Sequence, residues 1–227
     1  STNAISVTID NGIGAVDLNG SLIVTPMQDT TYTAISVGWN WDSGTSMAQN
    51  NKVRNNFIYN IGQRTLSDMG GIYLLGRAPD TEVSGNVIKE VRSYDGYTGG
   101  SNGIYADEGS SELVVSGNIV VGTNTNGFSL HYGNTNWVEG NVFADTRHAF
   151  SIGKRDRIGD TVSTDRPATI ARNAFLPHSN DMVGLSNDET LMARPHEEAP
   201  FWLDTKPLIS SNRVSAQYLP AGSSSQI

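Results

Sequence analysis

Three short motifs carry the side chains of this sequence that could act on a chemical bond. SDMGG contains Asp68, ADEGSS contains Asp107 and Glu108, and HYG contains His131. Two carboxyl groups whose surroundings separate their pKa values can divide into a general acid and a general base. We therefore take Asp68 and Asp107 as candidate catalytic residues. Glu108 is a third candidate carboxylate, and His131 is a candidate for tuning the acid or binding substrate.

Each of these residues also has a purely structural interpretation. Asp68 can cap the turn before Gly70, and Asp107 or Glu108 can bond the backbone where a strand ends. His131 can be one member of a hydrogen-bonded ladder. Spacing alone leaves these alternatives open, so the elements that position the residues have to be considered.

A repeat predicts how the motifs come together. Each copy opens with Gly and an apolar residue and closes with Gly-Asn and apolar residues: GGIYLLGRAPDTEVSGNVI (70–88), NGIYADEGSSELVVSGNIV (102–120) and NGFSLHYGNTNWVEGNVF (126–143). A repeat of this length, rich in Val, Ile, Gly and Asn, is typical of stacked parallel β-coils. The sequence therefore predicts an all-β fold, a single-stranded parallel solenoid.

The repeat also fixes a register between neighbouring coils. Side chains alternate along a strand, so every second residue points outward, about 4.8 Å from its equivalent on the next coil. One outward row is predicted to contain Tyr73, Tyr105, Ser129 and Ser151, and the next Leu75, Asp107, His131 and Gly153. Asp107 and His131 should therefore be neighbours.

Loops between the strands are predicted to form the walls of a groove over this face. Insertions at about 59–70 and 92–102 rise on one side, and those at 39–52 and 153–168 on the other. Aromatic rings beside paired polar groups suit sugar rings. The predicted substrate-binding residues are Tyr73, Tyr105, Glu108, His131, Trp39, Trp41, Lys154 and Arg155.

We predict one domain over residues 1–227, with regular coils at about 5–176 and an irregular final coil and cap at 177–227. Residues 16–24 are interpreted as an early strand pair of the stack. A second ladder, of Asn, is predicted to stack by hydrogen bonds and to supply the left-handed backbone of a coil corner. Its members are Asn56, Asn86, Asn118, Asn141 and Asn173.

Composition narrows the choice of partners. The formal charge of −8 argues against nucleic acid or an anionic membrane, because phosphate binding requires a basic face. No apolar run approaches the roughly 20 residues needed to cross a bilayer. We predict no cofactor and no metal, since DNGIG and DGYTGG lack the full pattern of a calcium loop. The sequence contains no cysteine, which is compatible with a secreted or periplasmic β-solenoid.

Several of these motifs, taken in order, resemble a known family. YTAISVGWNW (32–41), SDMGGIY, DEGSS and HYG are similar to motifs of right-handed parallel β-helix glycoside hydrolases of the type that includes α-L-fucosidases and xylanases. The resemblance covers about 32–155. It implies a right-handed coil and an acid/base pair of aspartates at Asp68 and Asp107. The chain differs in having only about 30 residues before ISVGW and an altered segment before GIY, so we interpret it as a shortened relative or a fragment.

The sequence thus favours a carbohydrate-active hydrolase that acts on a polysaccharide or oligosaccharide. A polysaccharide lyase acting on uronic acids and a non-catalytic glycan-binding or structural solenoid stay open. The glycan, the stereochemical outcome and the oligomeric state are not determined by the sequence. The first coil needs a cover, from residues 1–15, a missing N-terminal segment or a partner chain.

Overall fold

The computed structural model describes residues 7–8, 14–16, 22–24, 27–41, 44–94, 100–154, 168–176, 183–187 and 208–214. These residues form β-strands joined by turns, and none forms a helix long and apolar enough to cross a bilayer. In chain order the strands are β1 Val7–Thr8, β2 Gly14–Val16, β3 Leu22–Val24, β4 Met27–Gln28, β5 Ile35–Gly38, β6 Lys52–Arg54, β7 Phe57–Ile61, β8 Met69–Leu75, β9 Glu82–Ser84, β10 Val87–Val91, β11 Ser101–Asp107, β12 Val114–Ser116, β13 Ile119–Leu130, β14 Asn136–Glu139, β15 Val142–Lys154, β16 Ala168–Ala171, β17 Ala174–Leu176, β18 Val183–Asn187, β19 Leu208–Ser210 and β20 Arg213–Val214.

Most strands belong to three parallel ladders. The floor ladder joins β5, β8, β11, the second halves of β13 and β15, and β18. A second ladder joins β4, β7, β10, the first halves of β13 and β15, β17 and β20. The third joins β6, β9, β12, β14, β16 and β19. We call one set of three consecutive strands a rung.

The predicted register of the floor ladder is confirmed. Tyr73 pairs with Tyr105, Tyr105 with Ser129 and Ser129 with Ser151. The inward row of Ile35, Ile72, Ile104, Phe128 and Phe150 is fully buried in one continuous apolar core. Glycine opens these strands because the neighbouring rung lies too close for a side chain. A Cβ on Gly103 would lie 2.6 Å from the carbonyl oxygen of Gly127.

In the asparagine ladder, each Asn makes the hydrogen bonds to the next rung, and the residue before it has the left-handed backbone. Asn86 donates from its backbone N–H and its Nδ2 to Oδ1 of Asn118, and Asn118 does the same to Asn141. The stacking prediction is therefore confirmed, and Asn212 extends the ladder by one member. The prediction that these Asn residues supply the left-handed backbone is wrong. The residue before each of them has positive φ, namely Asn55, Gly85, Gly117, Gly140, Arg172 and Ser211.

The early strand pair is present but is not part of the parallel stack. Strands β2 and β3 form an antiparallel hairpin, in which Ala15 pairs with Ile23. Only five residues, including Asn19-Gly20, join them, whereas a parallel crossover needs a dozen or more. Strand β1 pairs antiparallel with β5, so Val7 lies beside Val37 at this edge of the floor ladder. Residues within 1–15 thus cover part of that edge.

Parallel pairing also continues beyond residue 176. Strand β18 pairs with β15, β19 with β16 and β20 with β17. The charged and proline-containing sequence after residue 176 predicts an irregular final coil and cap, whereas these pairings add regular parallel strands there. Strand signals that are only two to five residues long are weak in such a background.

One row of the core contains threonine where its neighbours are aliphatic. Ile61, Val91, Thr123 and Thr146 follow one another in register. Both threonine hydroxyls are buried, and neither has a hydrogen-bonding partner among the described residues. A buried hydroxyl without a partner costs free energy because it has lost its bonds to water.

Replacing Thr123 with Val is therefore expected to raise the free energy of unfolding by about 1 kcal/mol, and Thr146→Val likewise. Thr81→Val is the matched control, because the Thr81 hydroxyl is also buried but accepts a 3.1 Å hydrogen bond from Asn51 Nδ2. That control should destabilise the protein. Chemical denaturation of the three variants measures the signs, and a loss of stability in Thr123→Val contradicts the interpretation.

Candidate active site

The outward face of the floor ladder brings the predicted aspartates into one electrostatic cluster. Asp68 lies one residue before β8, and Asp107 ends β11, where it pairs with Leu75. Asp68 has a left-handed backbone with a φ of 58°. Its backbone N–H donates to Gly100 and its carbonyl oxygen accepts from the hydroxyl of Tyr32, at 2.9 and 3.0 Å. Residues other than glycine rarely adopt this backbone conformation unless their surroundings enforce it.

Two tyrosines connect the carboxyl groups in a crossed arrangement. Tyr105, on the strand of Asp107, donates to Asp68 Oδ1 at 3.1 Å. Tyr73, on the strand that follows Asp68, donates to Asp107 Oδ2 at 2.6 Å. The two rings meet edge to face, with centroids 5.3 Å apart. Each phenol therefore holds the carboxyl group of the neighbouring rung, which fixes the two groups relative to each other.

Asp107 is held by three donors. Its Oδ1 accepts from His131 Nδ1 at 2.7 Å and from the backbone N–H of Glu108 at 2.9 Å, in addition to the bond from Tyr73 to Oδ2. Only 4% of the residue is exposed. The predicted proximity of Asp107 and His131 is confirmed by this contact.

The surroundings shift the pKa values of the two aspartates in opposite directions. Burial, and next the negative charge of Asp107, raise the pKa of Asp68 above its ordinary value, against the hydrogen bond from Tyr105. Burial also acts to raise the pKa of Asp107, but the hydrogen bonds from His131 and Tyr73 outweigh it, so this pKa is lowered. Burial, together with the nearby carboxylates, raises the pKa of both Tyr73 and Tyr105, which keeps the phenols protonated as donors. Asp68 is thus suited to hold a proton and Asp107 to be ionised.

Glu108 is buried beside Asp107. Its carboxylate accepts a hydrogen bond from the hydroxyl of Tyr132, and its Oε1 lies 3.7 Å from His131 Nδ1. Oxygen and nitrogen atoms of Asp107, Glu108 and His131 lie within 4.8 Å of one another, close enough for a cation. A cation bound by His131 Nδ1 and Asp107 Oδ1 would have to displace the 2.7 Å hydrogen bond between these two atoms.

The remaining predicted residues are placed to different degrees. Trp39 and Trp41 follow β5 and have exposed rings. Lys154 ends β15, where its backbone pairs with Asn187, while its side chain and all of Arg155 lie outside the described residues. Their roles in substrate binding stay predictions.

The structure adds two aromatic residues that the sequence analysis did not select. The ring of Tyr32 lies 6.5 Å from that of Tyr73, and Tyr132 lies edge to face on His131 at 5.2 Å. Tyr32 could have been found by extending the floor-strand register back from Ile35 into the loop. Tyr132 is adjacent to His131 in sequence, but alternation predicts that it faces away from the outward row, so no pattern pointed to it.

The fold and this site define an all-β protein built on parallel sheets with a carboxylate cluster on one face. Residues 2–175 match the family described as right handed beta helix region, so the chain belongs to that family. No curated protein and no solved structure gives a significant match. Family membership is compatible with carbohydrate-active enzymes and with glycan-binding proteins.

Proposed function

We propose that the protein is a glycoside hydrolase that cleaves a glycosidic bond in a neutral polysaccharide or oligosaccharide. The observation that carries this proposal is the opposite direction of the pKa shifts of Asp68 and Asp107 in one bonded cluster. Glycosidic cleavage needs one protonated and one ionised carboxyl group.

In the proposed reaction, Asp68 donates its proton to the glycosidic oxygen as the bond from that oxygen to the anomeric carbon breaks. Asp107 either accepts a proton from the water that attacks this carbon or attacks the carbon itself; in the second case a water later releases it and gives its proton back to the Asp68 carboxylate. The first route requires carboxyl groups roughly 6.5–9.5 Å apart and the second about 5–5.5 Å. In both routes the phenols of Tyr73 and Tyr105 keep the acid and the base in fixed positions.

The charge of the site favours a neutral substrate. The carboxylates of Asp107 and Glu108 both raise the pKa of Asp68, so negative charge already accumulates there. A uronic acid would bring a further carboxylate next to them, and a lyase would need a cation to neutralise it. This balance favours hydrolysis over the lyase reaction.

The proposal also includes the handedness of the coil and the single-domain arrangement on which the site depends. The ladders are taken as one right-handed solenoid that forms a single domain, with the outward floor rows as the base of a groove. Exposed rings such as Trp39 and Trp41 would contact sugar faces. A polymeric glycan as partner implies a secreted or periplasmic protein.

The test is incubation of the protein with a panel of plant and algal glycans, followed by analysis of the products. We expect new reducing ends without an unsaturated product that absorbs ultraviolet light. The Glu112→Gln variant is a control and should form the same products as the wild-type protein, because the Glu112 carboxylate pairs with Arg77 and does not belong to the cluster. Unsaturated products would instead support the lyase, and binding without turnover a glycan-binding protein; either result rejects the proposal.

A further inference from the structure

Glu108 combines three features that are costly for a glutamate. Its backbone has a positive φ of 44°, its carboxylate is buried, and it lies next to the buried carboxylate of Asp107. Glutamate is almost never this buried unless it is paired, and an unusual backbone conformation persists only where the surroundings enforce it. The position therefore requires an explanation beyond strand packing.

The contacts of Glu108 lead to His131. The hydroxyl of Tyr132 donates to Glu108 Oε2, while Oε1 of the same carboxylate lies 3.7 Å from His131 Nδ1. The Tyr132 ring also packs edge to face against the imidazole, at 68°. The imidazole is thus bounded by a carboxylate and a ring that belong to one hydrogen-bonded pair.

His131 differs from both carboxylates in exposure. Its side chain is 36% exposed, against 6% for Asp107 and 7% for Glu108. The ring therefore lies between buried acceptors on its Nδ1 side and the outward face of the ladder. In this position Nδ1 has one preferred partner, Asp107 Oδ1 at 2.7 Å.

We propose that Glu108 and Tyr132 are positioning residues, which hold the His131 imidazole with its Nδ1–H directed at Asp107. The inference rests on the proposed function for its catalytic meaning: a fixed Nδ1–H keeps Asp107 ionised and correctly oriented. Glu108 then acts through His131 rather than by touching the substrate, which is a different role from the substrate contact predicted from sequence. A carboxylate that orients a histidine in this way selects its tautomer as well as its angle.

The test is nuclear magnetic resonance of the histidine side chains in the full chain, which does not depend on a substrate. His131→Gln identifies the His131 signals among those of the four histidines. We expect a strongly downfield Nδ1–H proton in the wild-type protein. In Glu108→Gln and Tyr132→Phe this signal should move upfield or broaden, and in Glu112→Gln it should not change. Glu112 is a matched control. Like Glu108 it lies between β11 and β12 and has a positive φ, but its carboxylate forms an ion pair with Arg77.

Kinetics on the hydrolysed glycan separates positioning from binding. Loss of one orienting hydrogen bond should lower kcat about tenfold in Tyr132→Phe, with KM unchanged within about twofold. A raised KM with unchanged kcat in Glu108→Gln overturns the inference, because it indicates direct contact with substrate. An unchanged His131 signal in both folded variants also overturns it. If the signal moves as expected while Asp68→Asn retains full turnover, the positioning inference holds and the proposed function fails.

Discussion

The Asp107→Asn variant is expected to turn over every substrate about 10⁴-fold more slowly than the wild-type protein, whatever the leaving group. Asn keeps the size of the side chain, and its Oδ1 can still accept from His131. Its Nδ2, which replaces the oxygen bonded to Tyr73, can donate to the hydroxyl of Tyr73 but cannot accept from it. It cannot carry the negative charge with which Asp107 would activate water or attack the anomeric carbon. Initial rates on the natural glycan and on an aryl glycoside of the same sugar measure the loss.

The Asp68→Asn variant is expected to depend on the leaving group. With the natural glycan, whose leaving alcohol must be protonated, turnover should fall about 10²–10⁴-fold. With a dinitrophenyl glycoside, whose leaving group departs without protonation, kcat/KM should stay near the wild-type value in either route. Equal losses on both substrates in Asp68→Asn would contradict the assignment of Asp68 as the acid.

The pH dependence follows from the same assignment. Activity requires Asp107 ionised and Asp68 protonated, so turnover should rise as pH passes the lowered pKa of Asp107 and fall as pH passes the raised pKa of Asp68. Asp68→Asn on the dinitrophenyl glycoside should remove the fall at higher pH and keep the rise at lower pH. A profile whose high-pH limb is unchanged in this variant would assign that limb to another group.

The second large effect is expected in the asparagine ladder. Oδ1 of Asn118 accepts from the backbone N–H and Nδ2 of Asn86, and its own Nδ2 donates to the carbonyl of Val83. Asn118→Ala removes the side-chain acceptor of the backbone N–H of Asn86 and one of the two acceptors of Asn86 Nδ2, which keeps its bond to the carbonyl of Val53. It also removes the donor to the carbonyl of Val83. At about 1–3 kcal/mol for a buried group that loses its partner and about 1 kcal/mol for each further lost hydrogen bond, we expect a loss of about 3–5 kcal/mol in the free energy of unfolding. The thermal midpoint should fall by about 10 °C.

The first member of the ladder provides a control of the same residue type. Oδ1 of Asn56 accepts no hydrogen bond from the described residues, although Asn56 donates to Asn86. Asn56→Ala therefore leaves no donor without an acceptor and should cost only about 1 kcal/mol. Calorimetry of both variants tests the difference. Equal losses would mean that the ladder contributes through packing and not through its chain of hydrogen bonds.

The central rungs could be predicted because two local requirements recur in each of them. A strand that starts against the backbone of its neighbour needs glycine, and a buried ladder of side-chain amides needs asparagine at one position. Gly103 and Asn118 are examples. Once these positions are aligned, alternation gives the inward and outward rows, including the contact between Asp107 and His131.

The two ends and the finer contacts of the site were not predictable by the same means. The β2–β3 hairpin has strand-like residues, but their alternation does not distinguish antiparallel from parallel pairing. The crossed bonds of Tyr73 and Tyr105 depend on side-chain rotamers, which register does not specify. The burial of Glu108 depends on the backbone turn after β11, where its φ is positive, and strand alternation does not specify such a turn.

The separation of inward and outward rows has a consequence for how such a surface can change. The interior and the amide ladder hold each rung, whereas one outward row contains Tyr73, Tyr105, Ser129 and Ser151 on a backbone of unbroken register. Substitution of one outward side chain changes the surface on a single rung and does not alter the buried core. Adaptation to a longer or differently shaped ligand can therefore proceed in steps of one strand spacing, about 4.8 Å, without rebuilding the scaffold.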